Sequence, residues 1–193
     1  MSDFATIISK GTTPTKNDVN KYINNINIKY IKVKDFNDFG IDVSNLEYIS
    51  EDIHKGKLKR SILKVNDILI SIAGTLGKVA IVDEFLNNSN TNQAVAFIRL
   101  KDTHNIGFIY FFMKSLKFKE EIIKREIHAV QPNLSLGELG KIKIPIPRDI
   151  KLFNSLLNKI QQNLRECDKL EQLRDTLLPK LMNGEIDLDK IEI

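Results

Sequence analysis

The stretch NDILISIAGTLGKVAIV, residues 66–82, decides how the chain folds. Its first half is a short apolar run, 67–73, and its second half, 79–82, is another. Between them lie Gly74, Thr75, Leu76 and Gly77. Two apolar runs separated by a glycine-containing turn predict a strand hairpin or tight corner, because glycine takes the positive φ values that such turns need. The same stretch superficially suggests a phosphate loop. That motif requires a glycine where Ile72 stands and a hydroxyl residue after Lys78, where Val79 stands. A dinucleotide fingerprint fails as well, since the third glycine is missing and strand follows the turn.

Working outward, short β-type runs are expected at 30–33 and 62–65, and a further strand at 94–100 (AVAFIRL). Residues 87–92 (NNSNTN) read as a polar loop. Ile109, Phe112, Met113 and Leu116 then recur at helical spacing. Ile122, Ile123 and Ile127 continue the pattern after a break near Lys117. Residues 129–135 read as a loop, and 141–147 (KIKIPIP) as a strand closed by prolines.

From Lys151 onward the pattern changes to that of one long helix. Apolar residues fall at Phe153, Leu157, Ile160, Leu164, Cys167, Leu170, Leu173 and Leu177, a heptad-like seam with one residue missing near Cys167. No Gly or Pro interrupts 151–178, which would extend about 40 Å at 1.5 Å per residue. Pro179 is expected to end or kink the helix, and Gly184 to turn the chain. Such a seam needs a partner: a second copy, another protein, or the side of its own globule. The expected fold class is α+β, a mixed, strand-rich globule (1–150) followed by a coiled-coil-forming helix with a docking tail (151–193).

The charge is unevenly placed. Residues 1–150 hold 22 Lys/Arg against 17 Asp/Glu, whereas 151–193 hold 7 against 8. A basic surplus confined to the globule is the pattern of a surface that meets a polyanion. The single cysteine, Cys167, excludes an internal disulfide, and the three histidines are far apart, so neither a disulfide framework nor a metal site is expected. No apolar run reaches the ~20 residues of a membrane helix, and the N-terminus is a poor signal peptide. These features point to a cytoplasmic protein without membrane, metal or cofactor. No Gly-x-Ser-x-Gly elbow or other catalytic constellation is present, so a non-catalytic binding protein is expected.

Five segments in order resemble one family: GTTPT (11–15), NDILISIAGTLGKVAIV (66–82), TNQAVAFIRL (91–100), QPNLSLGELGKIKIPIP (131–147) and LRDTLLPKLMNGEIDL (173–188). Together they resemble the specificity subunits of type I restriction–modification systems. The resemblance implies a target-recognition domain for double-stranded DNA and a spacer helix. It also implies recruitment of adenine methyltransferase (modification) subunits and, in the full complex, restriction/translocase subunits. A full subunit carries two recognition domains and two helical regions. This sequence carries one of each and no internal repeat, as either a natural half-subunit or one half of a longer protein. Two copies pairing antiparallel along 153–177 would then read inverted half-sites as a homodimer.

Candidate DNA contacts follow from chemistry. Lys10, Thr12, Thr13 and Lys16 share a donor-rich loop, and His54–Arg60 (HKGKLKR) is the densest basic run, with Lys55, Lys57, Lys59 and Arg60 as backbone contacts. Gly74, Thr75 and Lys78 offer backbone N–H groups, a hydroxyl and an ammonium to a phosphate, or else form a plain β-turn with a solvated lysine. Asn92, Gln93, Gln131 and Asn133 carry amides suited to adenine, though such amides more often satisfy loop backbones. The residues that set specificity are expected in 17–27 and 36–58. Two rival classes remain: an oligomeric scaffold or adaptor that binds restriction–modification subunits without reading DNA, and a detached piece of a fused methyltransferase–specificity enzyme.

Overall fold

The computed structural model describes residues 1–22, 24–126, 133–147 and 149–185. Two compact units are present, Met1–Asn154 and Ser155–Ile193.

The hairpin expected in 66–82 forms one side of a four-stranded antiparallel sheet, with the hairpin's second strand at the edge. Its strands are β1 (Ala5–Lys10), β4 (Ile68–Ser71), β5 (Val79–Ile81) and β7 (Val95–Leu100), in the order β1-β7-β4-β5. All four residues of β4 are buried, which explains why the strand is uniformly apolar rather than alternating. Leu69, Ala80, Val95 and Phe97 join a core with Ile31, Phe36, Leu46, Leu63, Val82 and Leu86. Ile68, Ile70, Ala96 and Ile98 are buried as well. Helix α3 (Ile106–Lys114) packs against β5, and helix α5 (Leu136–Lys141) against β1.

A second sheet has the order β3-β2-β6, from β2 (Ile26–Ile31), β3 (Glu47–Ser50) and β6 (Asn90–Thr91). β2 runs antiparallel to β3 and parallel to β6. A small core of Tyr30, Ile49, Ile53 and Leu58 forms where helix α2 (Glu51–Lys55) meets β2 and β3. Helix α1 (Lys16–Lys21) starts with a capping box, in which the Thr15 hydroxyl accepts from the Asp18 amide and Asp18 accepts from the Thr15 amide.

The fold class agrees with the sequence reading, but several elements differ in detail. β2 begins four residues earlier than expected. It stops at Ile31 because the Asp35 carboxylate captures the Lys32 amide and winds Val33–Asp35 into a 3-10 turn. Residues 62–65 are not a strand. Leu63 instead exchanges backbone hydrogen bonds with Asn88 and Ser89, its side chain fully buried. The polar loop 87–92 contains β6, whose Asn90 and Thr91 are buried. Residues 142–147 form no strand; Lys141 closes α5 instead, and the prolines remove ladder donors. The helical break falls at Ser115, between α3 and α4 (Leu116–Glu126).

Helix α6 runs Lys151–Met182 and passes through Pro179 without ending there. It ends at Gly184 (φ 71), where the Gly184 amide donates to Leu181 and the Glu185 amide to Lys180, the paired bonds of a Schellman cap. Its first turn belongs to the globule. The Phe153 ring lies 5.6 Å from Phe108 and 6.1 Å from Phe111, and Asn154 Oδ1 accepts the Gly107 amide at 3.0 Å. Phe153, counted in the seam, is therefore engaged by α3. Leu157 is buried, Ile160, Leu164 and Leu177 are partly buried, and Leu170 and Leu173 are more than half exposed. Cys167, read as a small core residue of the seam, is exposed.

Candidate nucleic-acid interface

Strand direction brings the candidate residues together. Lys10 ends β1 opposite Ala96, Ser71 ends β4 opposite Val95, and Val79 begins β5 opposite Ile70. The loops 11–15, 72–78 and 92–94 therefore emerge from one end of the four-stranded sheet. Asn133 joins them through a bridge to Ala73. Segments far apart in sequence thus share one rim.

The closest approach on this rim is between Gly11 and the chain at 91–92. A Cβ on Gly11 would lie 1.9 Å from the Thr91 carbonyl oxygen, so only glycine fits. The Gly11 amide donates to Val95 and the Thr12 amide to Thr91. The Tyr30 hydroxyl donates to the Thr12 carbonyl at 2.8 Å, and burial raises its pKa. Thr13 bonds through its hydroxyl to Gln93 Oε1. Asn92 Oδ1 accepts the Ala94 amide at 3.1 Å. Asn92 thus serves its own loop, while Lys10, Thr13, Lys16 and Gln93 remain exposed.

The glycine turn is more closed than its sequence suggests. Gly74 and Gly77 take φ 72 and 76. The Ser71 hydroxyl donates to the Thr75 carbonyl and accepts the Lys78 amide at 2.9 Å, and the Gly77 amide donates to Ser71. Two N–H groups expected to face a phosphate are therefore consumed inside the loop. Lys78 is engaged within the globule as well. Its ammonium donates to the Phe36 carbonyl at 2.8 Å and holds the neighbouring turn. Thr75 and Gly74 are exposed. Beside the turn lies a cleft of about 260 Å³ lined by Gly74, Leu76, Gly77, Lys119, Ile122 and Ile123.

The basic run is joined to this rim through α1. Lys57 pairs with Asp18 at 2.5 Å, and Lys57 together with Thr15 holds the Asp18 carboxyl down at about 2. Lys55 pairs with Glu51. Two of the four cations named in this run are thus matched by carboxylates, whereas Lys59 and Arg60 are exposed and have no ion pair among the described residues. His54, at the head of the run, is buried: its Nε2 faces Asn88 Oδ1 at 3.2 Å and its Nδ1 accepts from Asn90 at 3.0 Å. Burial lowers its pKa. Gln131 lies outside the described residues. Sequence reasoning missed Asp18, Tyr30 and Asn90. Only Asp18 carried a local signal, three residues after the capping Thr15.

Among the described residues, no group of three or more His, Cys, Asp or Glu could hold a metal ion, and no helix is long and apolar enough to cross a membrane.

The chain thus combines a strand-rich globule, whose donor-rich rim carries exposed lysines, with a long amphipathic helix. The profile of the type I restriction modification DNA specificity domain matches residues 1–175, and the chain belongs to that family. It is 27% identical over 159 residues to the type I restriction enzyme EcoBI specificity subunit of Escherichia coli, covering 81% of this chain and 32% of that protein. It is also 27% identical over 198 residues to the HindI specificity subunit of Haemophilus influenzae, covering 96% and 40% respectively. The chain thus spans about a third to two fifths of the length of these relatives. The fold is shared with the S subunit of a type I restriction-modification system from M. genitalium (TM-score 0.55, 17% identity, 93% of this chain and 44% of that one). It is shared too with the HsdS subunit from Thermoanaerobacter tengcongensis (TM-score 0.56, 10% identity, 100% and 50%).

Proposed function

We propose that this chain reads a DNA sequence for partner subunits that carry the chemistry. The globule grips duplex DNA, and an adenine methyltransferase, with or without a restriction/translocase subunit, acts where it binds. The observation that carries this reading is the convergence of loops 11–15, 72–78 and 92–94 on one rim, with Lys10 and Lys16 exposed on or beside it. Phosphate contacts from such cations position a protein on DNA, and neighbouring polar side chains read base edges.

Helix α6 is proposed to pair two copies along Ile160–Leu177, a seam that begins later than in the sequence because Phe153 is engaged by α3 and Leu157 is buried. Leu170 and Leu173, each more than half exposed, are the most exposed leucines of this seam. A homodimer of this kind reads two inverted half-sites.

The purified chain should bind duplex DNA with an affinity that falls steeply with salt, and its light-scattering mass should correspond to two copies. Binding to a protein partner with no salt-dependent DNA affinity would favour the scaffold reading. A mass of one chain, with and without DNA, would remove the homodimer.

A further inference from the structure

Beneath the basic run the core is polar where an apolar one would be cheaper. Ser50, His54, Ser61, Asn90 and Thr91 are all buried, and buried polar groups are tolerated only when their hydrogen bonds are made. Asn90, fully buried, supplies most of them. Its Nδ2 donates to His54 Nδ1 at 3.0 Å and faces the Leu58 carbonyl at 3.3 Å. Its Oδ1 accepts from the Ser61 hydroxyl at 2.7 Å and from the Thr91 amide at 3.2 Å. On the far side of the ring, His54 Nε2 donates to Asn88, a non-glycine residue held at φ 60. Nδ1 acts as an acceptor, so the ring is the neutral Nε2–H tautomer.

The contacts of Asn90 on the run fall at positions 54, 58 and 61, roughly one per turn of chain. The residues between them, Lys55, Lys57, Lys59 and Arg60, are exposed. Glu51 and Asp18 neutralise the first two, which leaves Lys59 and Arg60 for an external anion. An apolar side chain at position 90 would strand the His54 Nδ1 lone pair and leave the Leu58 carbonyl at 3.1 Å as the acceptor of the Ser61 hydroxyl.

We propose that Asn90 is a positioning residue: its buried amide fixes the backbone of 54–61 so that Lys59 and Arg60 act together on the phosphate backbone of a DNA duplex. This rests on the reading of the globule as a DNA reader. A preorganised pair pays less ordering entropy on binding than two cations on a loose loop.

The test uses the full chain, a short mixed-sequence duplex and two readouts: affinity as a function of salt, and amide hydrogen exchange. K59A/R60A is expected to lower the salt slope by about 2 and leave exchange unchanged. N90A is expected to raise exchange at Leu58 and Ser61 roughly tenfold while β4 and β7 stay protected. It should also weaken DNA binding by a factor similar to that of K59A/R60A. S61A, which removes one hydroxyl shared between Asn90 Oδ1 and the Leu58 carbonyl and keeps the bonds of Asn90 to His54 and Leu58, should give a smaller step in the same direction, and it decides the question if N90A does not fold. Wild-type affinity or unchanged exchange at 58–61 in the folded N90A or S61A variant overturns the positioning role. An unchanged salt slope in K59A/R60A overturns the phosphate role of the pair. Absence of salt-dependent binding by the unsubstituted chain would instead overturn the DNA reading itself.

Discussion

Gly11 and Thr91 meet backbone to backbone: the space where a Gly11 side chain would start is filled by the Thr91 carbonyl, 1.9 Å from an ideal Cβ. The GTTPT loop and the strand leading to β7 are thereby seated against each other. Overpacking against a fixed backbone costs about 1–3 kcal/mol, so G11A should lower the urea midpoint by that equivalent. An m-value that stays constant shows that stability, not compactness, has changed. A midpoint equal to wild type would mean that the loop is free to move away.

Asp67 and Arg99 form a bidentate pair, with Nε to Oδ1 at 2.8 Å and Nη2 to Oδ2 at 2.6 Å, and Asp67 is almost wholly buried. The same carboxylate accepts the Lys64 amide and so shapes the turn into β4. Removing one partner of a buried pair costs about 3–5 kcal/mol. Because Arg99 is a quarter exposed, D67A should fall near the bottom of that range or below it. Denaturant unfolding measures this, and a loss under about 1 kcal/mol would contradict the assignment.

His54 gives the globule a dependence on pH. Its folded pKa lies below the ordinary value near 6.5 because burial penalises the imidazolium. The unfolded chain therefore binds the proton more readily. The contribution of the neutral ring is complete above about 6.5 and declines as pH falls through the folded pKa. Thermal midpoints should drop in that window, and H54Q should flatten the slope there while leaving the carboxylate-driven loss at lower pH. An identical slope in H54Q would contradict this.

Lys78 and the pair Lys10/Lys16 should separate by readout. Lys78 is occupied by the Phe36 carbonyl, so K78A should lower stability while leaving the salt slope of DNA binding unchanged. K10A/K16A should do the reverse, reducing the slope by about 2. A reduced slope in K78A would return that lysine to the phosphate-binding set.

Hairpin, long helix and the basic surplus of the globule were legible because each is written locally, in apolar periodicity, glycine placement or composition. What was not legible depended on partners distant in the chain. β6 hides in NNSNTN because Asn90 is buried by its bonds to His54, Leu58 and Ser61, not by its own polarity. Likewise, Lys57 and Lys78 read as free cations until Asp18 and Phe36 are brought beside them. Residues 141–147 alternate like a strand, yet the prolines and the end of α5 leave no ladder to join. The candidate site was therefore legible as a set of segments, but not as a distribution of free and occupied groups.

The most direct measurement of the central claim is to co-express the chain with a methyltransferase subunit of the same system and map the methylated adenines across the genome. The expected result is one recurring half-site in inverted pairs at a constant spacing, shifted or lost when the globule is exchanged for another. Methylation at the same positions with and without the chain would contradict a role in DNA specificity.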